Sequence, residues 1–271
     1  MAVKKVLTIA GSDSSGGAGL QADLKTFEEY GTFGCTAITN IVTMDPQNNW
    51  HHHMYPVDAE VVREQLTTIF SGDPLSAMKT GMLGSINIIK LVSKVIDQYK
   101  MKNVVVDPVM VCKGEDEPLH PENVFAIRDH LLPKATIVTP NLFEAAQLSD
   151  MQILRTVVDM KEAAKKIVNL GVQYVVIKGG NRLEGNKAID LLYDGSEFTF
   201  FEAEKIHTNY NHGAGCTFAA AITAGLAKGL SVKDSVAKAK VFTTEGIKAG
   251  FAFNRFIGPV WHGAYNKSHL S

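Results

Sequence analysis

Cysteine is scarce in this sequence: Cys35, Cys112 and Cys216 are the three among 271 residues. An odd count cannot build a disulfide framework and argues against a secreted fold. Long apolar runs are missing too. The N-terminal run Val6 to Ala10 stops at Gly11-Ser12-Asp13, too short for a signal-peptide core. No stretch approaches the roughly 20 apolar residues of a membrane span. Nor is there a surplus of charge: 27 basic against 28 acidic residues leave a formal net charge of −1. That excludes a strongly basic nucleic-acid footprint and gives no reason for an anionic membrane partner. The expectation is a soluble cytoplasmic protein with neither nucleic-acid nor membrane partners.

Apolar residues are plentiful, at 45%, and spread through the whole chain, which suits a globular fold with a sizeable core. Short apolar runs alternate with helical repeats. Val6–Ala10, Cys35–Thr43, Met78–Thr80, Val104–Val106, Ile137–Thr139 and Val175–Ile177 read as strands. Helices are expected over Gly19–Tyr30, Ala59–Phe70 behind an Asp58 cap, Ile86–Tyr99 and Met160–Leu170. Two Ala-rich helices follow, near Cys216–Lys228 and Val232–Lys248, and Asp194-Gly195 marks a hairpin. The alternation implies βαβ units and a mostly parallel sheet covered on both faces. No repeat, linker or charge block divides residues 1–271, so one domain is expected. The polar stretch Lys113–Asn123 reads as a mobile loop.

In parallel sheets, ligands bind beyond the carboxyl ends of the strands. Five strand ends here are polar or Gly-rich: Gly11-Ser12-Asp13, Lys79-Thr80-Gly81, Asp107-Pro108, Thr139-Pro140-Asn141 and Lys178-Gly179-Gly180. Their convergence on one edge suggests a site. The strongest local signal is His212-Gly213-Ala214-Gly215-Cys216-Thr217, leading into an Ala-rich helix. First-turn amides lack internal partners, and with the helix dipole they can bind an anion. A tight loop before a buried helix explains the glycines equally well, but it does not explain Cys216. A thiol at a helix N-terminus has its thiolate favoured, which makes Cys216 a candidate base or nucleophile. Asn141 and Glu144 share one face of a helical turn. They read as a capping box or, beside phosphates, as holders of Mg²⁺. Lys178 before two glycines would neutralise a phosphate. His51-His52-His53 reads as a solvated turn or oligomer surface, because neighbouring residues on a strand face opposite ways.

Taken in order, these motifs resemble the ribokinase-like superfamily, in the branch of hydroxymethylpyrimidine (phosphate) kinases and bacterial pyridoxal kinases. The resemblance rests on Thr8–Asp13, Gly17–Asp23, Lys79–Leu83, Asp107–Met110, Thr139–Asn141 with Glu144, Lys178–Gly180 and His212–Cys216. It implies a three-layer α/β/α fold with a small covering lid, ATP as donor and a vitamin-precursor alcohol as acceptor. It also implies a homodimer. The anion hole falls at Gly213, Ala214 and Gly215 with Cys216 as base, and the magnesium carboxylates are Asp107 and Glu144. The resemblance puts Thr139, Asn141, Lys178, Gly179, Gly180, Thr208 and Gly213 on the nucleotide. The acceptor pocket takes Gly11, Asp13, Gly19, Asp23, Met44, Met82 and Val109.

Two departures bear on the acceptor. Pyrimidine kinases of this branch usually carry an acidic or amide side chain where Met44 stands, and methionine cannot make that polar pair. Cys112, in Asp107–Gly114, resembles the lid cysteine of the dual-cysteine pyridoxal kinases, which adds to the substrate aldehyde as a hemithioacetal. Pyridoxal has an aldehyde and the pyrimidine has none. The expected activity is therefore phosphorylation of the 5′-hydroxymethyl group of pyridoxal, with hydroxymethylpyrimidine as the alternative acceptor. A silent vitamin or nucleotide sensor on this scaffold would lack a catalytic element, and all are present.

Overall fold

The computed structural model describes residues 2–110 and 121–269. Among them, nine strands form one sheet: β1 (Lys5–Asp13), β2 (Phe33–Asp45), β3 (His51–Pro56), β4 (Ala77–Thr80), β5 (Val104–Val106), β6 (Ile137–Val138), β7 (Tyr174–Lys178), β8 (Lys187–Tyr193) and β9 (Phe198–Glu204). Their order across the sheet is β3-β2-β1-β4-β5-β6-β7-β8-β9. The centre from β2 to β7 is parallel; β3, β8 and β9 pair antiparallel at the flanks.

The central strands feed two cores. In β5, Val104 and Val106 point into one and Val105 into the other; in β7, Val175 and Ile177 oppose Val176. This is period-two alternation on a sheet buried on both faces. One core meets α2 (Ala59–Phe70), α3 (Ile86–Gln98), α4 (Pro121–Ala126), α5 (Leu142–Ser149) and α6 (Val157–Val168). The other meets α1 (Gly19–Glu29), α7 (Ala214–Ala227), α8 (Val232–Lys248) and α9 (Ala264–His269). Three layers result, as expected. Helix starts follow the sequence: Asp58, Ser85, Asn141, Thr156 and Ser231 each accept a first-turn amide. α7 is buried almost all round, which explains its alanines: small side chains let it lie close to the sheet. Among the described residues, no helix is long and apolar enough to cross a membrane.

The histidine triplet corrects one expectation. It begins β3, antiparallel to β2, with His52 opposite Met44. The connecting turn lacks glycine; Asp45-Pro46 opens it, and Asn49 and Trp50 take positive φ (47° and 64°). Residues 113–120 of the expected mobile loop lie outside the described residues, and Pro121–Ala126 is helical.

Candidate active site

A cavity of about 530 Å³ opens at the carboxyl ends of the parallel strands. β2 lies on one side of β1 and β4 on the other, so the strand order reverses between β1 and β4, where ligands of doubly wound sheets bind. The β1–β2 register breaks beside Gly11: Ala10 pairs with Ile38 and Ser12 with Ile41, so β2 carries one extra residue there. Gly11, Asp13, Gly19, Met82 and Val109 line the cavity together with Val42 and His52 of the β2–β3 hairpin. This hairpin forms the covering wall.

The N-terminus of α7 closes the floor. Gly213 is its cap at φ 78°, with no side chain capping the first turn. A Cβ there would run into the carbonyl oxygen of Gly17, so glycine is required for the loop to approach α1. Gly213, Ala214, Gly215 and Cys216 all line the cavity. His212 is buried beneath them and bonds Asp13 through Nε2 at 2.6 Å. Asp13 also accepts the amides of Ser15 and Ala18, at 2.8 and 2.9 Å. Burial opposes ionisation of Asp13, but His212 and Ser15 outweigh it and hold the carboxyl below its usual range. The two glycine-rich loops are thereby tied together across the floor.

Four charged groups surround Cys216. Lys79, fully buried, reaches both carboxylate oxygens of Asp23 at 2.8 Å, and Thr8 donates to Asp23 at 2.6 Å. Lys178 meets Asp107 at 3.2 Å, and Thr139 donates to the same oxygen at 3.0 Å. Burial disfavours the Lys178 ammonium, yet Asp107 and Glu144 raise its pKa. Glu144 and Asn141 form the expected capping box of α5, at 2.8 and 2.9 Å. Burial pushes Glu144 up to about 7, against the pull of Lys178 and with a push from Asp107.

Cys216 departs from expectation. Burial pushes its thiol up to about 12. Lys79 and a hydrogen bond from the Gly19 amide pull it down, while Asp23 and Asp107 push it further up. The resting form is the thiol, not the thiolate that the helix terminus alone suggests.

Other expected site residues lie elsewhere. Asp23 is Lys79's counter-ion beneath the floor and does not line the cavity. Thr139 is fully buried and orients Asp107. Met44 lies beside the lining residue His52 without lining the cavity itself. Thr208 accepts the Tyr210 amide outside the lining. Cys112 lies outside the described residues. Asn141, Lys178, Gly179, Gly180, Asp107 and Glu144 do line the cavity. So do Lys79 and His212 from the site motifs, His52, which was expected on a solvated turn or oligomer surface, and Asp190 and Lys240, which no motif marks. Lys240 bonds Asp190 at 2.8 Å, and Asp190 accepts the Gly179 amide at 3.2 Å. His52 was legible from strand alternation within the triplet; Asp190 and Lys240 had no motif to mark them.

Comparison with known proteins agrees with this geometry. The phosphomethylpyrimidine kinase family model matches residues 13–261. The chain is 57% identical to the pyridoxine kinase of Bacillus subtilis, covering 100% of both chains. It is 40% identical to the hydroxymethylpyrimidine/phosphomethylpyrimidine kinase of the same organism, over 100% of this chain and 99% of the other. The solved structure of Staphylococcus aureus pyridoxal kinase in complex with AMP-PCP and pyridoxal superposes with a TM-score of 0.93. That structure is 52% identical, over 98% of this chain and 96% of the other. With a floor built on a glycine-capped helix, strand-end carboxylates facing Lys178, and these likenesses along its whole length, the chain belongs to the phosphomethylpyrimidine kinase family.

Proposed function

We propose that the chain transfers the γ-phosphoryl group of ATP to the 5′-hydroxymethyl group of pyridoxal, and also of pyridoxine and pyridoxamine. One observation carries the reading: the Gly213–Cys216 turn, Lys178 and the Asp107–Glu144 carboxylates line one cavity in a chain 57% identical throughout to a pyridoxine kinase.

The nucleotide phosphates lie along the carboxyl edge, against Lys178 and the Gly179–Gly180 turn. Asp190 and Lys240 fix that turn through the Gly179 amide. Asp107 and Glu144 would hold Mg²⁺, directly or through water. Two buried carboxylates, one pushed up to about 7 by burial, fit a cation that keeps waters and phosphate oxygens as its other ligands. When bound, the ion supplies charge neutralisation at the phosphates. The acceptor ring lies among Val42, Met82 and Val109, with its hydroxymethyl group toward Cys216.

As the hydroxyl oxygen bonds to the γ-phosphorus, the bond to the β-phosphate oxygen breaks and ADP leaves. The hydroxyl proton passes to Sγ of the Cys216 thiolate, the minor form whose share grows with pH. A thiolate is far less basic than an alkoxide, so the proton moves late, which suits a loose transition state. First-turn amides of α7 and the Lys178 ammonium face the equatorial oxygens, where loss of one interaction costs about 10²–10³ in rate. Cys112 captures the aldehyde, and the same reading carries a homodimer.

The test is a steady-state assay with MgATP and either pyridoxal or hydroxymethylpyrimidine as acceptor. We expect kcat/KM for pyridoxal to exceed the other by about 10² or more, since the apolar Val42, Met82 and Val109 offer the aminopyrimidine no polar partner. A ratio below one keeps the kinase and transfers the chain to thiamine-precursor chemistry.

A further inference from the structure

We propose that His52 determines acceptor specificity by hydrogen-bonding the hydroxyl group on carbon 3 of the pyridine ring. The proposal deepens the pyridoxal reading above and rests on it.

β3 alternates cleanly. His51 and His53 are exposed, while His52 is half-buried and lines the cavity. Two residues on, Met54 faces the same way and lines a smaller neighbouring cavity of about 110 Å³, whose wall shares Met82 and Val109 with the main one. The inner face of the β2–β3 hairpin therefore walls the acceptor end, and Val42 and His52 are its contributions to the main cavity. Val42, Met82 and Val109 offer no polar side-chain group there, and Asp13 is already engaged by His212 and by the amides of Ser15 and Ala18. His52 does, and it stands directly opposite Met44 in the ladder. The polar group absent at Met44 is thus supplied by the adjacent strand, in a different chemical form.

The hairpin tip is not left to float. Trp50 stacks on Phe256 with ring centroids 5.5 Å apart and meets Phe253 edge-on at 6.3 Å. Its amide donates to Asp45 at 2.8 Å, and the His51 amide donates to Asn48 at 2.9 Å. Specificity groups work when their position is locked by packing, and here the lock sits two residues away.

An imidazole can donate or accept, which suits a phenol or phenolate. Pyridoxal and pyridoxine carry that oxygen; hydroxymethylpyrimidine carries an exocyclic amine and no phenol. A site that pairs with a substrate hydroxyl rejects an analogue lacking it more strongly than an apolar wall rejects one extra methylene.

The experiment compares pyridoxine with 3-deoxypyridoxine, which keeps the 5′-hydroxymethyl group and loses only the ring hydroxyl. Wild type, His52→Ala and His52→Gln are assayed with MgATP, and their Tm values establish that all are folded. In wild type, kcat/KM should favour pyridoxine by about 10-fold or more. In His52→Ala that ratio should fall to within about threefold of one. The loss should come through the KM of pyridoxine, with 3-deoxypyridoxine nearly unaffected. His52→Gln, which keeps a donor and an acceptor, should recover part of the ratio. A ratio unchanged in His52→Ala, or equal losses for both acceptors, overturns the role of His52 and leaves the pyridoxal reading intact. No turnover of pyridoxine or pyridoxal by the wild type overturns both.

Discussion

At Cys216 a helix terminus and a buried ammonium work against burial and two carboxylates. The first turn of α7 and Lys79 favour the thiolate. Removal from water, with Asp23 and Asp107 nearby, favours the thiol and prevails, pushing it up to about 12. The sign follows: the reactive thiolate fraction of the free enzyme grows tenfold per pH unit over the whole neutral range. We expect kcat/KM, which reports the free enzyme, to climb between pH 7 and 9 without levelling. Alkylation of Cys216 by iodoacetamide, followed on its own peptide by mass spectrometry, should climb in parallel. A plateau near pH 7 in the alkylation rate would restore the activated thiolate that the motif alone suggests. Cys216→Ala should lose about 10²–10³ in kcat, or more, with little change in KM.

The element on which this chemistry depends is α7, whose first turn must hold its amides toward the cavity. Its position was legible in the sequence because the signal is local: glycines, a cysteine and an alanine run in consecutive order. The strands and helix caps were legible for the same reason. What fixes the first turn was not. Thr217 donates its hydroxyl to the Gly213 carbonyl at 2.8 Å, so it receives the Nε2–H of His262 at 2.9 Å. His262 lies 45 residues away, near the chain's end, with no motif around it. It is 5% exposed, and burial lowers its pKa to about 4, with a smaller push from Lys25. Its folded value lies below the unfolded value of 6.5. The neutral ring therefore stabilises the fold fully above pH 6.5, and that contribution fades as pH falls toward 4. We expect about 2–3 kcal/mol to be lost between pH 7.5 and 4.5 from this group. Urea unfolding of wild type and His262→Gln at both pH values isolates it, because Gln keeps a donor for Thr217 and does not titrate. An equal pH loss in the two proteins would remove His262 as the source.

Across the whole molecule, the same division between local and distant signals holds. The parallel sheet and its polar edge were readable, because each strand end carries its own short motif. The pairings that turn the edge into a site join residues far apart in the chain: Lys79 with Asp23 across 56 positions, Lys178 with Asp107 across 71, His212 with Asp13 across 199. No spacing rule reaches that far, and so nothing local marks Asp23 as the counter-ion of Lys79. These pairings also link both cores to one cavity: Lys178 ends β7, Asp107 follows β5, and the α7 turn heads the opposite helical layer. A ligand that bridges them binds the folded chain and not the unfolded one. MgATP at 100 times its Kd should therefore add about 2.7 kcal/mol to stability. For a chain of this size that is a rise of about 5–10 °C in Tm. Lys178→Ala removes the cation facing the phosphates and should cut the rise at the same nucleotide concentration by half or more. Scanning calorimetry of both proteins with and without MgATP measures the two shifts. Equal shifts would move the phosphates away from Lys178, and no shift in the wild type would remove the nucleotide from this cavity.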